Sequence, residues 1–341
     1  MAALQRTFLA LLLVFVAAAP WRARADDTHR LSILEENDSL FFNSDKHYTQ
    51  GLRFAYVGPD VAADSGWNRV YDFLAAVPTV FAGDGKTTRQ VAILGGQSLF
   101  TPKNLTLTDP SAHDRPYGGW LYGGVSLMQE NNQANLENFE LDLGAVGPVS
   151  LGEQTQNTFH QFINDETAKG WSHQIQNEPG VMLTYERLYR VPLIGDGFDG
   201  VDIVPQTGFT AGNVFTYGAL GAQIRWGHNL HAEYGPVRVR PALSGTDYFD
   251  DSDFHGDWGY YVFAGVQGRV VVQDIFLDGN TFRTSPHVDK KPLVADLQAG
   301  FSVFWPWHQI RTDIAVVRRT EEFYGQATPD EICTAALAFS W

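Results

Sequence analysis

The sequence predicts an all-β chain, an antiparallel transmembrane β-barrel of about twelve strands with a short helix in an outer loop. Three observations predict it. After an N-terminal apolar segment there is no further run of about eighteen apolar residues, so no membrane-spanning helix follows. Apolar and polar residues alternate with period two again and again, up to a terminal aromatic, Trp341. There is one cysteine, Cys333, so no intramolecular disulfide holds the chain. An exported chain with neither device can still cross a membrane as a closed barrel, which satisfies every backbone polar group between strands.

Residues 1–25 read as a signal peptide. Arg6 supplies the positive start, FLALLLVFVAAA is the apolar run, and Ala23-Arg24-Ala25 fits a small-x-small cleavage site. Residues 26–341 then form one barrel domain, with no linker and no internal repeat. Removing three arginines and no acid takes the formal charge from −15 to −18. A chain so acidic is a poor partner for nucleic acid and a better one for divalent cations.

The strands follow in order. Candidates are 30–37, 48–57, 89–98, 119–128, 136–145, 180–190, 201–211, 215–226, 234–243, 259–272, 293–305, 308–319 and 332–341. In Leu293–Trp305 the residues Leu293, Leu297, Phe301 and Trp305 share one face. In Phe139–Ala145, Phe139, Leu141 and Leu143 oppose Glu140 and Asp142. This is the pattern of a wall with lipid outside and a polar lumen inside. Such barrels have an even strand count, and 234–243, with Pro236 and Pro241, is the weakest candidate. The expectation is therefore twelve strands. A soluble sandwich would also alternate. The signal peptide, the bulky apolar faces and the terminal aromatic favour the membrane. That aromatic resembles the signal read by the barrel assembly machinery of outer membranes.

Topology then places the polar motifs. With the N-terminus inside and long loops outside, the first strand ends at the outer rim near Asn37-Asp38, and the second starts there at Tyr48-Thr49. Alternation with Leu52, Phe54 and Tyr56 puts Thr49, Gly51 and Arg53 on the lumen side. The loop 99–118 carries Asp114-Arg115, read as an ion pair shaping the rim. The loop 146–179 holds GPVSLGEQTQNTFHQFINDETAKGW, helical from Glu153 to Lys169, with Gln156 and His160 on one face and Phe159, Phe162 and Ile163 on its neighbour. His47, His113 and His173 read as solvent-facing.

Glu36-Asn37-Asp38, Tyr48-Thr49-Gln50-Gly51, Asp114-Arg115-Pro116-Tyr117-Gly118-Gly119-Trp120, Gly147-Pro148, Gln156-x-x-x-His160, Glu166 and Trp171 together resemble the lipid A 3'-O-deacylase family of Gram-negative outer membranes. Gly212-Asn213-Val214-Phe215-x-Tyr217 adds to the likeness, which spans essentially the whole mature chain. The resemblance implies a twelve-stranded barrel at the outer-leaflet side, with its site between the wall and a loop helix. It also implies lipopolysaccharide as partner, loss of an acyloxyacyl group, and a calcium requirement. Carried over, the site is Asn37, Thr49, Gln156 and His160 for catalysis and Asp38 and Glu166 for metal. The family's basic residues in the loop ahead of the Asp-Arg motif match poorly here; only Lys103 stands near.

The chemistry is intelligible from the residues as well. Ester hydrolysis needs a base for the nucleophile and positive charge for the oxyanion. No Gly-x-Ser-x-Gly elbow occurs, so water is the expected nucleophile and His160 the general base. Calcium takes several oxygen ligands, which Asp38, Glu166, the Asn37 amide and backbone carbonyls can supply. Two other readings stand beside this one: an outer-membrane phospholipase with the same histidine–calcium logic, and a passive pore or adhesion barrel.

Overall fold

The structure is a computed structural model. It describes residues 28–38, 46–78, 80–81, 87–132, 134–163, 166–243, 246–250, 254–256, 258–305 and 309–341. Residues 1–25, expected from the sequence to be a signal peptide, lie outside this set. The described strands are β1 (Arg30–Asn37), β2 (His47–Val57), β3 (Thr87–Thr101), β4 (Gly118–Asn131), β5 (Asn135–Val146), β6 (Glu178–Tyr189), β7 (Val191–Gly195), β8 (Gly200–Gly212), β9 (Phe215–His228), β10 (Gly259–Asp274), β11 (Leu293–Phe304), β12 (Ile310–Arg319) and β13 (Asp330–Ser340). Helices are few: α1 (Trp67–Leu74), α2 (Gly152–Ile163) and α3 (Ile275–Asp278).

The strands pair antiparallel with their neighbours in sequence, and β1 pairs β13 from Arg30↔Ser340 to Asn37↔Cys333. The strand β6 pairs β8 directly, Met182↔Gly212 to Leu188↔Gln206, and this closes the circle. The short β7 continues β6 in register along the start of β8 and so adds no strand of its own. The wall therefore has the twelve strands expected. Its outer face is apolar and exposed, with Ile93, Leu141, Leu220, Val266 and Leu297 among the residues that meet lipid.

The remaining candidate, 234–243, forms no strand of the sheet. Pro236 and Pro241 withhold two ladder donors, and two arginines direct the segment inward instead. The chain between β9 and β10 enters the lumen. Arg238 donates to Glu36 Oε1 at 3.1 Å and to Asp296 Oδ2 at 3.0 Å. Asp296 also accepts from Arg269 at 2.9 Å and from Arg319 at 3.0 Å. Arg240 donates to Glu140 at 3.3 Å and, through Nη2, to Glu186 at 2.7 Å. Asp247 accepts from Ser32 at 2.7 Å and pairs with Arg53. A buried charge is tolerated when it is paired and hydrogen-bonded, and these lumen charges are. Beside Arg53, Glu140 and Arg240 remains a cavity of about 10 Å³, the size of one water.

A candidate active site between the wall and a loop helix

The helix α2 is the break in the alternation, and it docks on the outside of the wall. The chain leaves β5 at Gly147, whose φ of +87° and closeness to Gln176 backbone both call for glycine. A tight turn, Pro148–Ser150, follows. Ser150 donates to the Gly147 carbonyl at 2.6 Å, and Gln97 on β3 donates to the Ser150 carbonyl at 2.6 Å. At Gly152 a Cβ would stand 2.7 Å from the Trp171 ring and 3.0 Å from Leu99, so glycine lets the helix start sit flush on β3. Leu99, Tyr117, Ala168 and Trp171 form the small apolar core beneath.

Gln156 and His160 do share a face, and that face is buried: they are 2% and 5% exposed. Phe159 and Phe162 are exposed on the helix. The helix is shorter than the expected Glu153–Lys169 and ends at Ile163. Three of its side chains then hold the returning segment. Gln156 Oε1 accepts from Trp171 Nε1 at 2.8 Å. Asn157 accepts from the Ala168 N–H at 2.8 Å and donates to its carbonyl at 3.3 Å. His160 Nδ1 hydrogen-bonds the Glu166 carbonyl. A carbonyl can only accept, so Nδ1 carries a proton, and in the neutral ring Nε2 is the basic nitrogen. The Gln156 Nε2 group is buried and makes no hydrogen bond among the described residues.

His160 and Glu166 open onto a cleft of about 610 Å³, completed by Lys103, Asn104, Leu105, Thr106 and Asp114 from the β3–β4 loop. That loop is pinned from both sides. Lys169 N–H donates to the Leu105 carbonyl and Ile175 N–H to the Tyr117 carbonyl, each at 2.9 Å. Asp114 Oδ2 accepts from the Lys103 N–H at 2.9 Å. Burial pulls the Asp114 carboxyl upward, but hydrogen bonds from His47 and from the Lys103 and Arg115 N–H groups outweigh it and hold it below its ordinary range.

Asn37, Asp38 and Thr49 lie at the same rim on the β1–β2 connection. Asn37 alternates with the lumen-facing Glu36 and so belongs to the outer side. Asp38 Oδ2 accepts from the Lys46 N–H at 2.6 Å. Thr49 is not a lumen residue. A β-bulge between Tyr48 and Gln50 inserts it as the extra residue. Tyr48 keeps the inner side, against Phe100, while Thr49 Oγ1 lies 2.7 Å from Thr101 Oγ1, on the face that carries Leu99.

Two further readings are corrected. His47 is buried, with Nδ1 2.8 Å from Asp330 and Nε2 3.5 Å from Asp114, so it ties three outer connections together. Asp114 and Arg115 do not pair with each other through their charged ends. Arg115 meets Glu322 at 2.9 Å and Asp274 at 3.9 Å, and Asp114 meets His47. His113 and His173 are exposed, as expected.

Among the described residues no three acidic, histidine or cysteine side chains gather to hold a metal ion. The oxygen donors at this rim are the Asp38 and Glu166 carboxylates, the Asn37 amide and main-chain carbonyls, the kinds of ligand that calcium takes.

A closed antiparallel barrel with an apolar, exposed outer belt is an integral outer-membrane protein. The chain belongs to the LpxR family: the model for "Outer membrane protein LpxR" matches residues 8–341, and this is the lipid A 3'-O-deacylase family that the motifs resemble. In structure the chain is similar to LpxR from Salmonella typhimurium, with a TM-score of 0.70 at 20% identity over 91% of this chain and 99% of that one. The β domain of the Bordetella autotransporter BrkA aligns at 9% identity over 92% of this chain and 98% of its own, with a TM-score of 0.43. The translocator domain of NalP from Neisseria meningitidis aligns at 9% over 99% and 95%, with a TM-score of 0.38. No curated protein sequence matches the chain.

Proposed function

We propose that this protein is a calcium-dependent hydrolase of the outer leaflet that removes the 3'-linked acyloxyacyl group from lipid A. The observation that carries the reading is His160. It lines the outer-rim cleft, its Nδ1 is engaged by a carbonyl, and Nε2 is the basic atom. Membership of the LpxR family supports lipid A as the substrate.

In this reading Nε2 takes a proton from a water as that water attacks the ester carbonyl, and returns it to the leaving alkoxide. The Glu166 carbonyl stabilises the imidazolium that forms between the two steps and keeps the ring in place. Gln156 Nε2, a buried donor without a hydrogen-bonding partner, offers a hydrogen bond to negative charge at the reacting centre. Asn37 and Thr49 orient the ester from the wall, and Lys103 places positive charge at the cleft edge. Asp38 and Asn37 would hold calcium, with Glu166 at the cleft mouth as the further acidic group. When bound, calcium supplies positive charge that polarises the carbonyl and offsets the oxyanion. The exposed Phe159 and Phe162 leave the acyl chains a path into lipid.

Mass spectrometry of lipid A and phospholipids from cells with and without the protein tests this. Loss of the mass of one acyloxyacyl unit from lipid A, and no lysophospholipid, is the expected result. Lysophospholipid with intact lipid A would replace lipid A by a phospholipid substrate. Unchanged lipids would leave a passive barrel, and the segment that occupies the lumen argues against a pore.

A further inference from the structure

The connection between β2 and β3 carries a helix that the site does not use. It lies at the inner rim, where both ends of the barrel sequence lie. One side of α1 is docked on the outside of the wall. Tyr71 packs with Phe81 at 5.0 Å between ring centres, over Val91, Val125, Leu127 and Phe139. These residues share the strand faces of Ile93, Leu121 and Leu141, which are exposed to lipid further up the wall. The Tyr71 hydroxyl donates to the carbonyls of Gln90 at 2.7 Å and Met128 at 3.0 Å.

Elsewhere along this rim the wall carries its own outward aromatics. Tyr56, Tyr189, Trp226, Tyr260 and Trp305 are exposed at the inner ends of their strands, the position of an interfacial girdle. The inner ends of β3, β4 and β5 break the ring: their outward residues are Arg89, Gln129 and Glu137. Asn68 and Phe81 of the β2–β3 connection supply a hydrogen bond to each of them. Arg89 donates to Asn68 at 2.9 Å, Gln129 donates to the Phe81 carbonyl at 2.9 Å, and Glu137 accepts from the Phe81 N–H at 2.7 Å. Trp67, Val70, Phe73 and Val77 then remain exposed on the helix and the turn after it, Phe73 by 76%. Asn68 and Asp72 lie on the opposite flank.

We infer that α1 is an interfacial helix. Trp67, Val70, Phe73 and Val77 enter the inner leaflet of the membrane, among phospholipid acyl chains, and complete the aromatic girdle where the wall lacks it. The occupant of this apolar face is lipid because the face continues the lipid-facing belt of β3–β5. An amphipathic helix with aromatic and aliphatic residues on one flank and polar residues on the other lies in such an interface.

Site-directed spin labelling tests the inference in the full barrel, reconstituted in phosphatidylethanolamine–phosphatidylglycerol vesicles. Cys333 is buried, so a stoichiometry of one label per chain identifies the introduced site. A nitroxide on Phe73→Cys should relax severalfold faster with oxygen than with a water-soluble nickel complex, as a lipid-buried site does. Val70→Cys should agree and serves if the first variant folds poorly. Asp196→Cys, in the exposed turn after β7, should show the reverse. Access of nickel at positions 73 and 70 equal to that at 196 would place the face in water and overturn the inference. Protection from both reagents with an immobilised spectrum would place a protein there and overturn it as well.

Discussion

The indole nitrogen of Trp171 donates to Oε1 of Gln156 across 2.8 Å, and both side chains are buried. The bond fixes the amide so that its nitrogen, not its oxygen, is the available end. Trp171→Phe keeps the ring packing against Tyr117 and removes the donor. Turnover should fall severalfold while the barrel keeps its heat-modifiable gel mobility, because one hydrogen bond contributes only about 1 kcal/mol to folding. Unchanged turnover would show that Gln156 needs no orientation.

His160→Ala should lower turnover by roughly 10²–10⁴-fold, the usual contribution of a positioned proton-transfer group. In the native protein the rate should decline as pH is lowered and the imidazole becomes protonated, and the variant should lose that dependence. Kinetics with purified lipid A across pH decide this. Near-normal turnover in a folded His160→Ala barrel would put the base elsewhere.

Chelation should abolish activity, and added calcium should restore it. Asp38→Asn should shift half-activation to higher calcium without matching the defect of His160→Ala, since one loses metal affinity and the other the base. Calcium titration of both variants separates the two. Full activity after chelation, with metal content measured, would exclude the calcium reading.

Acid should loosen the cleft. Asp114 has its carboxyl held below the ordinary value of 3.8 in the folded chain. Its contribution to stability is therefore complete above that value and is lost as pH falls through the lower, folded one. Hydrogen exchange in the 102–117 loop should rise in this acid window ahead of exchange in the wall. Asp114→Asn should show the looser loop at neutral pH, and equal protection in the variant would disprove the coupling.

Asp296→Ala should be far more damaging to the barrel than any site substitution. It leaves Arg238, Arg269 and Arg319 around a missing carboxylate, and breaking a buried pair costs about 3–5 kcal/mol. A lower temperature of heat modification is the expected readout. In planar bilayers the native protein should conduct no ions, because the plug fills the lumen.

The wall was legible because lipid permits only apolar side chains on one face, and residues such as Leu293, Leu297 and Phe301 repeat that demand with a fixed period. The helix was legible from its broken alternation and from the Gln156–His160 spacing, although its end was not. The side to which Thr49 turns was hidden, because a bulge adds one residue with no mark in composition. His47 was misread because its partners, Asp114 and Asp330, stand far along the chain and reach it only through closure. Pro236 and Pro241 argued against a strand, while the destination of that segment depended on Glu36 and Asp296, which no local pattern connects to it.

The plug also bears on how the protein assembles. Arg238 spans from Glu36 on β1 to Asp296 on β11, and Asp296 reaches Arg319 on β12, so one mid-chain segment clasps strands on both flanks of the β1–β13 seam. The Arg238–Glu36 contact closes a sequence separation of 202 residues. A segment threaded in after closure would have to carry its arginines through a finished rim, and a seam closed without it would leave Glu36 buried without its arginine and Asp296 with only Arg269 and Arg319. Closure with this segment already in place is therefore the expected order of assembly, and contacts so distant in sequence should make it slow.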